Sequence, residues 1–479
     1  MNLTLKNLGK LREATIDLGK DLILLTGPNN TSKTYVAHAI YGFHQQLQVG
    51  LARAMGKRLG RGLPSWKASE SALFKVDLKQ FAEQHLPAIF QEVATDFKEQ
   101  LSDVFAADRE LFADSELKIV SSREDLEFGL NALCANASKE REILIRPNER
   151  IVARKAAGES ELTFERIVTS LPDLSARAVS TADESDLSVF AYYYVLGQTT
   201  GAVLGVSIYS YILAAERAAI QLFSRELSAQ RTELIDRLLE ISSGGSRQEQ
   251  VNENLSEVLS KQAKRYPLAI RDGLRIANDL LTYKKETSSW AELADRLESE
   301  MLGGTFRIEE SGEMLFHPSS LKRGLGLHLA SSSVKSLAGL TFFLRHIAKK
   351  GHFLIIDEPE LNLHPDNQRR VARLLGRLAQ SGMKVLISTH SDYIIREINN
   401  LIMLSHDEEG NVRQRLGYSQ EEILHPHQVG AYLFDAERAR PIEVQPTGIE
   451  VKTIDREINA LNEVSQDIYF ALLGKNSAL

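Results

Sequence analysis

The sequence predicts an α/β nucleotide-binding fold whose site is assembled from the two ends of the chain. Near the N-terminus, an apolar run at residues 22–25 opens into a phosphate-loop pattern at 27–34. Near the C-terminus, a second apolar run at 353–356 ends in Asp357 and Glu358. Backbone N–H groups of such a loop bind phosphate, and paired carboxylates at a strand end bind Mg²⁺ and orient water. The two motifs together predict a site for ATP and Mg²⁺ in a head divided by a large insertion.

The phosphate loop itself departs from the usual pattern at one position. Ser32 stands where a second Gly is usual, and because serine is small we expect nucleotide binding to be retained. Taken alone, an imperfect match also fits an ordinary strand–turn–helix, but the second motif favours the phosphate loop. Lys33 would contact the β- and γ-phosphates, and Thr34 and Asp357 would bind Mg²⁺. The predicted nucleotide-binding residues are Gly27, Pro28, Asn29, Asn30, Thr31, Ser32, Lys33 and Thr34.

Composition restricts the class of protein. The chain has 479 residues, 43% of them hydrophobic and 25% charged, which predicts a globular protein with two structural regions. A net charge of −7 argues against a globally basic nucleic-acid-binding protein. A single cysteine, Cys134, excludes a disulfide framework and a cysteine-based zinc site, and it fits a reducing cytoplasm. The chain begins with a strand pattern, so we expect no signal peptide and a cytoplasmic location.

One segment has the length of a membrane span. Residues 187–215 carry no charge, and about 20 apolar residues are enough to cross a bilayer. The segment nevertheless contains Gln198, Thr199 and several tyrosines, and no basic cluster flanks it. We therefore expect a buried helix or helix pair and no membrane association.

Hydrophobic periodicity predicts the organisation along the chain. We expect the head at 1–46, a helical insertion at 47–116, a β-rich head segment at 117–175, a second helical insertion at 176–300, and the rest of the head at 301–479. A helix should run from Lys33 to about residue 47, and a second buried strand should lie at 384–388. Within the second insertion, an apolar stripe at 227–238 is interrupted at 242–246. The last helix, with Ile454, Ile458, Leu461 and Ile468 on one face, should pack back onto the head.

Three further segments bear on the kind of ATPase. His390 ends a strand that follows the Asp357–Glu358 strand, where it could contact the γ-phosphate, although a lone histidine there could also be a structural cap. The segment Asn362–Pro365 directly follows the paired carboxylates. Ser331–Lys335 reads as an anion-binding helix start with a lysine one turn in, or as a simple serine N-cap.

Together these motifs resemble the ABC-type ATPase head of the SMC, RecF and OLD families: a mixed sheet with an antiparallel β layer and a mainly helical insertion. In this resemblance Gly27–Thr34 is Walker A, Phe353–Glu358 is Walker B, Asn362–Pro365 is the D-loop region and His390 is the switch histidine. The resemblance implies that Glu358, His390 and Lys33 are catalytic. It also implies that the signature residues Ser332, Ser333 and Lys335 complete the site of a second subunit, so the chain would be at least a dimer.

Two departures from the family pattern stand out. The signature lacks the family's glycine, and no Q-loop glutamine can be placed, because Gln45 and Gln46 lie early in the chain. A transporter ATPase is disfavoured by the atypical signature and by the interrupted head. The remaining alternative is a RecF-like ATPase for DNA repair or chromosome maintenance, which would bind DNA directly.

The finer pattern is similar to the ATPase subunit of the PARIS anti-phage defence system and, less closely, of Septu. This likeness rests on the segments at 357–365, 388–404 and 214–217. It implies a sensor or scaffold that works with a separate effector, a TOPRIM or HNH nuclease, and a phage protein as trigger. The stretch after His390 is too short for a nuclease domain beside the closing helix, so we expect the nuclease in trans.

A basic cluster is the candidate surface for nucleic acid. It comprises Arg53, Lys57, Arg58, Arg61 and Lys67, with Trp66 nearby and no acidic residue between 51 and 69. Spacing of four places Arg53 and Lys57 on one helical face. A solvated basic helix and a surface facing DNA or a DNA mimic both remain open.

Overall fold

The phosphate-loop strand lies inside a six-stranded mixed sheet. The computed structural model describes residues 1–59, 73–120, 139–146, 149–168, 209–224, 266–435 and 437–473, with 127, 129–131, 134 and 135. The strands of this sheet are β3 (Leu22–Thr26), β9 (Ser210–Leu213), β13 (Phe353–Asp357), β14 (Lys384–Thr389), β15 (Val429–Phe434) and β16 (Ala439–Ile442). The sheet order is β16–β15–β3–β14–β13–β9, and every neighbouring pair is parallel except β15–β16.

The order of the strands brings the two motifs to one edge of the sheet. β3 and β13 are separated only by β14, and all three strands are buried along their whole length. Parallel sheets covered on both faces need such continuous apolar runs. The register pairs Thr26 with Thr389 and Asp357 with Ser388, so the carboxyl ends of the three strands lie side by side.

The other described strands form antiparallel sheets. One has the order β2–β1–β5, with β1 Asn2–Leu8, β2 Leu11–Asp17 and β5 Glu116–Val120. A second has the order β4–β8–β7–β6, with β4 Leu73–Asp77, β6 Lys139–Arg146, β7 Glu149–Lys155 and β8 Glu161–Val168. Two small sheets contain β10 (Gly304–Ile308), β11 (Met314–Pro318) and β12 (Leu325–Gly326), and β17 (Val444–Gln445) and β18 (Gly448–Ile449). The predicted α/β class, with a mixed sheet and an antiparallel layer, is confirmed.

Helices cover the sheets and support the site. The described helices span Lys33–Leu59, Leu78–Lys98, Leu101–Phe105, Leu268–Asn278, Leu280–Tyr283, Ala291–Leu297, Ser332–Phe342, Pro365–Gln380, Asp392–Met403, Asn411–Arg415 and Lys452–Leu473, with a further helical stretch at 217–224. The first helix extends well past the predicted end near residue 47 because its middle packs on the helix Leu78–Lys98. Gly50 permits this packing, since a Cβ there would lie 3.2 Å from Val93.

Several predicted segments require correction. The expected helix in the charge-free segment is wrong at Ser210–Leu213, which forms β9 and pairs with β13 as an edge strand. Residues 187–208 lie outside the described residues, as does the stripe at 227–238 with its interruption at 242–246. Within the predicted helical region 47–116, Leu73–Asp77 is instead strand β4, which pairs with β8. Among the described residues, no helix is long and apolar enough to cross a membrane. The domain boundaries remain a prediction.

The last helix also differs from expectation. Leu461 and Ile468 are exposed, so the helix Lys452–Leu473 does not pack its apolar face onto the described part of the head. Its connection to the head is firm, because Ile449 and Val451 are buried in the core that surrounds β13 and β14.

Candidate active site

The phosphate loop connects β3 to the helix Lys33–Leu59, and its backbone is unusual at three positions. Gly27 has φ +137°, and a Cβ there would lie 2.2 Å from the main-chain oxygen of Phe434 at the end of β15. Only glycine fits such a close approach. Asn30 and Ser32 have φ values of 62° and 70°, in the left-handed region.

Ser32 therefore occupies a position where the backbone itself favours glycine. The conformation costs a non-glycine residue roughly 1–2 kcal/mol. The sequence argument considered only the size of the side chain, and the structure adds backbone strain to the consequences of this departure from the usual pattern.

Lys33 extends across the inside of the loop. Its Nζ donates to the main-chain oxygens of Pro28 at 2.7 Å and Gly27 at 3.0 Å, and it lies 3.2 Å from Thr31 Oγ1. The side chain is buried, and this burial lowers the pKa of Lys33 to about 8, although Glu358 and Asp357 act in the opposite direction. The partners it contacts are neutral carbonyls and a hydroxyl, so its charge is available to phosphate.

Asp357 is fully buried at the end of β13, and its two carboxylate oxygens differ. Oδ1 accepts hydrogen bonds from Thr34 Oγ1 at 3.3 Å and from the hydroxyl of Ser388. Oδ2 is buried with no hydrogen-bond partner among the described residues. An orphaned buried carboxylate oxygen beside a threonine hydroxyl suits Mg²⁺, which prefers oxygen ligands. Thr34 and Asp357 therefore fit the ion that the sequence predicts.

Glu358 follows with φ +50°, in the left-handed region, so the chain leaves the strand conformation directly after Asp357. Its N–H donates to the main-chain oxygen of Ser388 at 3.0 Å, and its Oε1 lies 3.8 Å from His390 Nε2. Burial, reinforced by the negative charges of Asp357 and Glu360, raises the pKa of Glu358. The carboxylate is thus held at the site as a stronger proton acceptor than an exposed glutamate.

His390 is positioned through its backbone by a residue that the sequence analysis did not select. Its N–H donates to Glu360 Oε1 at 2.7 Å, and Glu360 is itself largely buried, which raises the pKa of that carboxyl. Burial and the nearby charge of Lys33 lower the pKa of His390. The imidazole therefore favours the neutral form, which can donate one hydrogen bond and accept another.

These groups meet in one cavity of about 680 Å³. It is lined by residues 29–35, by Glu358, Glu360 and His390, and by Gly9 and Lys10 in the turn between β1 and β2. The structure thus brings Lys33, Thr34, Glu358 and His390 together, as the sequence predicted.

The signature residues do not line that cavity. Ser331 caps the helix Ser332–Phe342, its Oγ accepting from the Val334 N–H at 3.4 Å. Ser333 Oγ donates to the main-chain oxygen of Asn362 at 2.9 Å, which joins the signature to the D-loop region. Ser332 is exposed and Lys335 is half-buried. Within one chain, the signature side chains therefore stay apart from the phosphate loop.

Arg217 is the main residue that the sequence analysis missed. Its guanidinium is buried and donates to the main-chain oxygens of Asp357 and Glu358, both at 2.8 Å, and of Ser336 at 3.1 Å. Burial lowers its pKa, although Glu360 and Asp357 oppose that shift. The only sequence signal was its place in the segment 214–217. Arg217 connects the end of the Walker B strand to the signature helix.

The candidate Q-loop glutamine and the basic cluster remain to be placed. Gln45 donates to Tyr41 OH and to the main-chain oxygen of Ser210, both at 3.0 Å, so it ties its helix to β9 and does not line the cavity. In the basic cluster, Arg53 is exposed, and Lys57 and Arg58 lie on the same helix. Arg61, Trp66 and Lys67 lie outside the described residues.

A phosphate loop and paired carboxylates, which follow strands separated only by β14 in a mixed sheet, define a P-loop ATPase. The chain belongs to the AAA ATPase domain family, AAA_15, whose model matches residues 1–395. It binds and hydrolyses ATP.

The chain also resembles particular proteins. It is 29% identical to the Old nuclease of Escherichia phage P2 over 126 residues, which is 25% of this chain and 22% of that protein. The chain thus spans about a fifth of the length of that relative.

Solved structures of SMC heads align along most of the chain. The Smc head with an extended coiled coil bound to the C-terminal domain of ScpA, from Pyrococcus furiosus, is 13% identical, with 97% of this chain and 98% of that one covered and a TM-score of 0.32. The SMC head domain from Thermotoga maritima is 12% identical, with 93% and 98% covered and a TM-score of 0.28.

Proposed function

We propose that this chain is the ATP-dependent sensor or scaffold of an anti-phage defence complex and that its nucleotide state controls a separate effector, a nuclease of the TOPRIM or HNH type. The observation that carries the proposal is the meeting of Lys33, Glu358 and His390 in one cavity, where Arg217 bonds the main-chain oxygens of both Glu358 and Ser336 in the signature helix. A site connected in this way can transmit the presence of the γ-phosphate to a distant surface.

Each residue at the site has a proposed role. The loop N–H groups and Lys33 bind the β- and γ-phosphates, and Thr34 and Asp357 hold Mg²⁺. The ion supplies neutralisation of charge on the phosphate oxygens. Glu358 accepts a hydrogen bond from the attacking water and orients it in line with the bond to the leaving ADP oxygen. His390, 3.8 Å from Glu358, contacts the γ-phosphate and changes its partners when that phosphate leaves.

We further propose that the site is shared between two subunits. Ser332, Ser333 and Lys335 are absent from the lining of their own cavity, and Ser332 is exposed at a helix start. Backbone N–H groups and a lysine at such a start favour an anion. A facing chain would therefore supply these groups to the γ-phosphate, and the active form would be at least a dimer.

Control of a nuclease is supported by the likeness to the Old nuclease. That likeness extends over 22% of the phage protein's length. In this proposal the nuclease activity belongs to a partner chain. A phage protein would act as the trigger, and the complex would work in the cytoplasm. A RecF-like ATPase that binds DNA directly is the second candidate, favoured by the exposed Arg53 on the helix that follows the phosphate loop.

The test is a plaque assay on cells that express this chain with the products of its neighbouring genes. We expect the wild-type set to lower phage plating by orders of magnitude and Lys33→Ala to abolish that protection. Arg12→Ala, a change at an exposed surface ion pair with Glu437, serves as the control and should protect normally. Equal protection by Lys33→Ala would contradict the proposal. ATP turnover that is stimulated by DNA without any partner protein would favour the RecF-like alternative.

A further inference from the structure

The helix Lys452–Leu473 exposes an apolar face that the described part of the head does not cover. Leu461, Val464, Ile468, Tyr469 and Leu472 are between 54% and 66% exposed, although each has a large apolar side chain. Single exposed apolar residues are common, but a continuous stripe on one helix marks an interaction surface. We call this surface the C-terminal stripe.

The spacing of the stripe is that of a helix that pairs with another helix. Ile454, Ile458, Leu461, Ser465, Ile468 and Leu472 follow one another at alternating intervals of four and three residues. We call these six positions the seam, because a heptad pattern keeps them facing a partner helix along its whole length. The helix has 22 residues, or about 33 Å, which is long enough for three heptads.

Charge and hydrogen bonding leave the seam free for close contact. From Ile458 to the end of the helix the charged residues are Glu463 and Asp467, and helical spacing places both on the face opposite the stripe. Ser465 is the one polar residue at the centre of the seam. Its Oγ donates to the main-chain oxygen of Leu461 at 2.8 Å, so pairing leaves no hydroxyl hydrogen without a partner.

We infer that the C-terminal stripe pairs with the same stripe of a second copy of this chain, and that this contact holds two chains together without nucleotide. Five side chains more than half exposed amount to roughly 500 Å² per helix, or about 1,000 Å² for the pair, which reaches the lower limit of a specific interface. A stripe of uniform chemistry is self-complementary, as a two-fold contact requires.

This contact is separate from the proposed shared ATP site. A pair held by its C-terminal helices keeps both heads at high local concentration, so that ATP would close heads that are already tethered. The inference does not depend on the ATP-site proposal, because the tether is expected when no nucleotide is present.

The mass of the full-length chain in solution tests the inference. By light scattering at micromolar concentration without nucleotide, the wild type should have twice the mass of one chain, and the double variant Leu461→Glu with Ile468→Glu should have the mass of one. The matched control, Asn459→Glu with Gln466→Glu, adds the same charges at the same spacing to the opposite, exposed face and should remain a dimer. A monomeric wild type, a dimeric stripe variant or a monomeric control would each overturn the inference.

Cross-linking provides a second, positional measurement. With Cys134→Ser removing the single native cysteine, Ser465→Cys should form a disulfide-linked dimer under mild oxidation because it lies at the centre of the seam. Gln466→Cys, on the next residue and outside the seam, should cross-link at least tenfold more slowly. Equal rates for the two variants would show that the stripes do not face each other. The phosphate loop lies within one chain, so the stripe variant should bind ATP with the affinity of the wild type and show the same circular dichroism spectrum, and loss of dimer mass would not be confused with loss of the fold or of the nucleotide-binding loop.

Discussion

Arg217 Nη1 lies 2.8 Å from the main-chain oxygen of Asp357, and this hydrogen bond fixes the backbone at the end of the Walker B strand. The second terminal nitrogen holds the main-chain oxygen of Glu358 at the same distance, and Nε reaches Ser336 in the signature helix. A planar guanidinium can satisfy three carbonyls in fixed directions, which an ammonium cannot. The direction of the two carboxylates therefore depends on one buried arginine at the start of the helical stretch 217–224, which follows β9.

Replacing Arg217 should affect turnover more than nucleotide binding. Arg217→Lys keeps the charge but loses the planar set of N–H donors, so at least one buried carbonyl is left without a hydrogen bond, at a cost of about 1–3 kcal/mol. We expect kcat to fall tenfold or more while the affinity for ATP changes by less than threefold, as measured by phosphate release and by calorimetry. Arg275→Lys, at an exposed arginine, is the control. A normal kcat in Arg217→Lys would show that the hydrogen bonds of Arg217 do not position Glu358.

The pKa of Lys33 predicts how ATP affinity varies with pH. Burial lowers that pKa to about 8, so the free protein keeps Lys33 charged below pH 8 and loses the proton above it. Because bound phosphate requires the charged form, binding above pH 8 must take up a proton, and affinity should fall by about tenfold per pH unit there. Calorimetry in buffers of different ionisation enthalpy measures this uptake. Lys33→Arg should show no such decline, and a pH-independent wild type would contradict the assignment.

Ser32 predicts a stabilising substitution within the site. Ser32→Gly removes the left-handed strain at φ +70°, and the gain should exceed the added chain entropy, for a net increase of about 0.5–1 kcal/mol in the free energy of unfolding. Urea denaturation followed by circular dichroism measures this change. Ser32→Ala, which keeps the Cβ, should give no increase. A glycine variant less stable than the alanine variant would show that the left-handed backbone at residue 32 does not destabilise the fold.

The site residues that the sequence predicted belong to local motifs, whereas those that it missed reach the site through contacts between distant parts of the chain. Lys33, Thr34, Asp357 and Glu358 belong to local strand–loop patterns, whose chemistry can be read from neighbouring residues. Ser388 joins the site only because the register of β13 and β14 places it beside Asp357. No local pattern encodes that register.

The same reasoning explains the misread segments. Gly27 is required because Phe434, at the far end of the chain, approaches it. β9 has only four residues within a long apolar segment, where strand and helix cannot be distinguished by periodicity. The apolar face of the last helix suggested packing on the head, since a sequence shows that a face is apolar but not which molecule covers it.

Mixing two inactive chains tests whether the ATP site is shared. Lys33→Ala removes a phosphate contact, and Ser332→Arg places a bulky charge at the exposed signature start. In mixed dimers one interface retains both an intact loop and an intact signature, so ATP turnover should rise above that of either variant alone, to at most about half the wild-type level. Mass measurements on differently tagged chains confirm mixing. Mixed dimers without recovered turnover would mean that each chain completes its own site.

The rate of phosphate release by Glu358→Gln tests the central claim most directly. Glutamine keeps the shape of the side chain but cannot accept the proton of the attacking water, so ATP should bind with unchanged affinity while kcat falls by about 10² or more. Lys33→Ala should instead weaken binding, and Glu292→Gln, at an exposed ion pair, should behave as the wild type. The account predicts tight ATP binding with almost no phosphate release in Glu358→Gln, and wild-type release by that variant would contradict it.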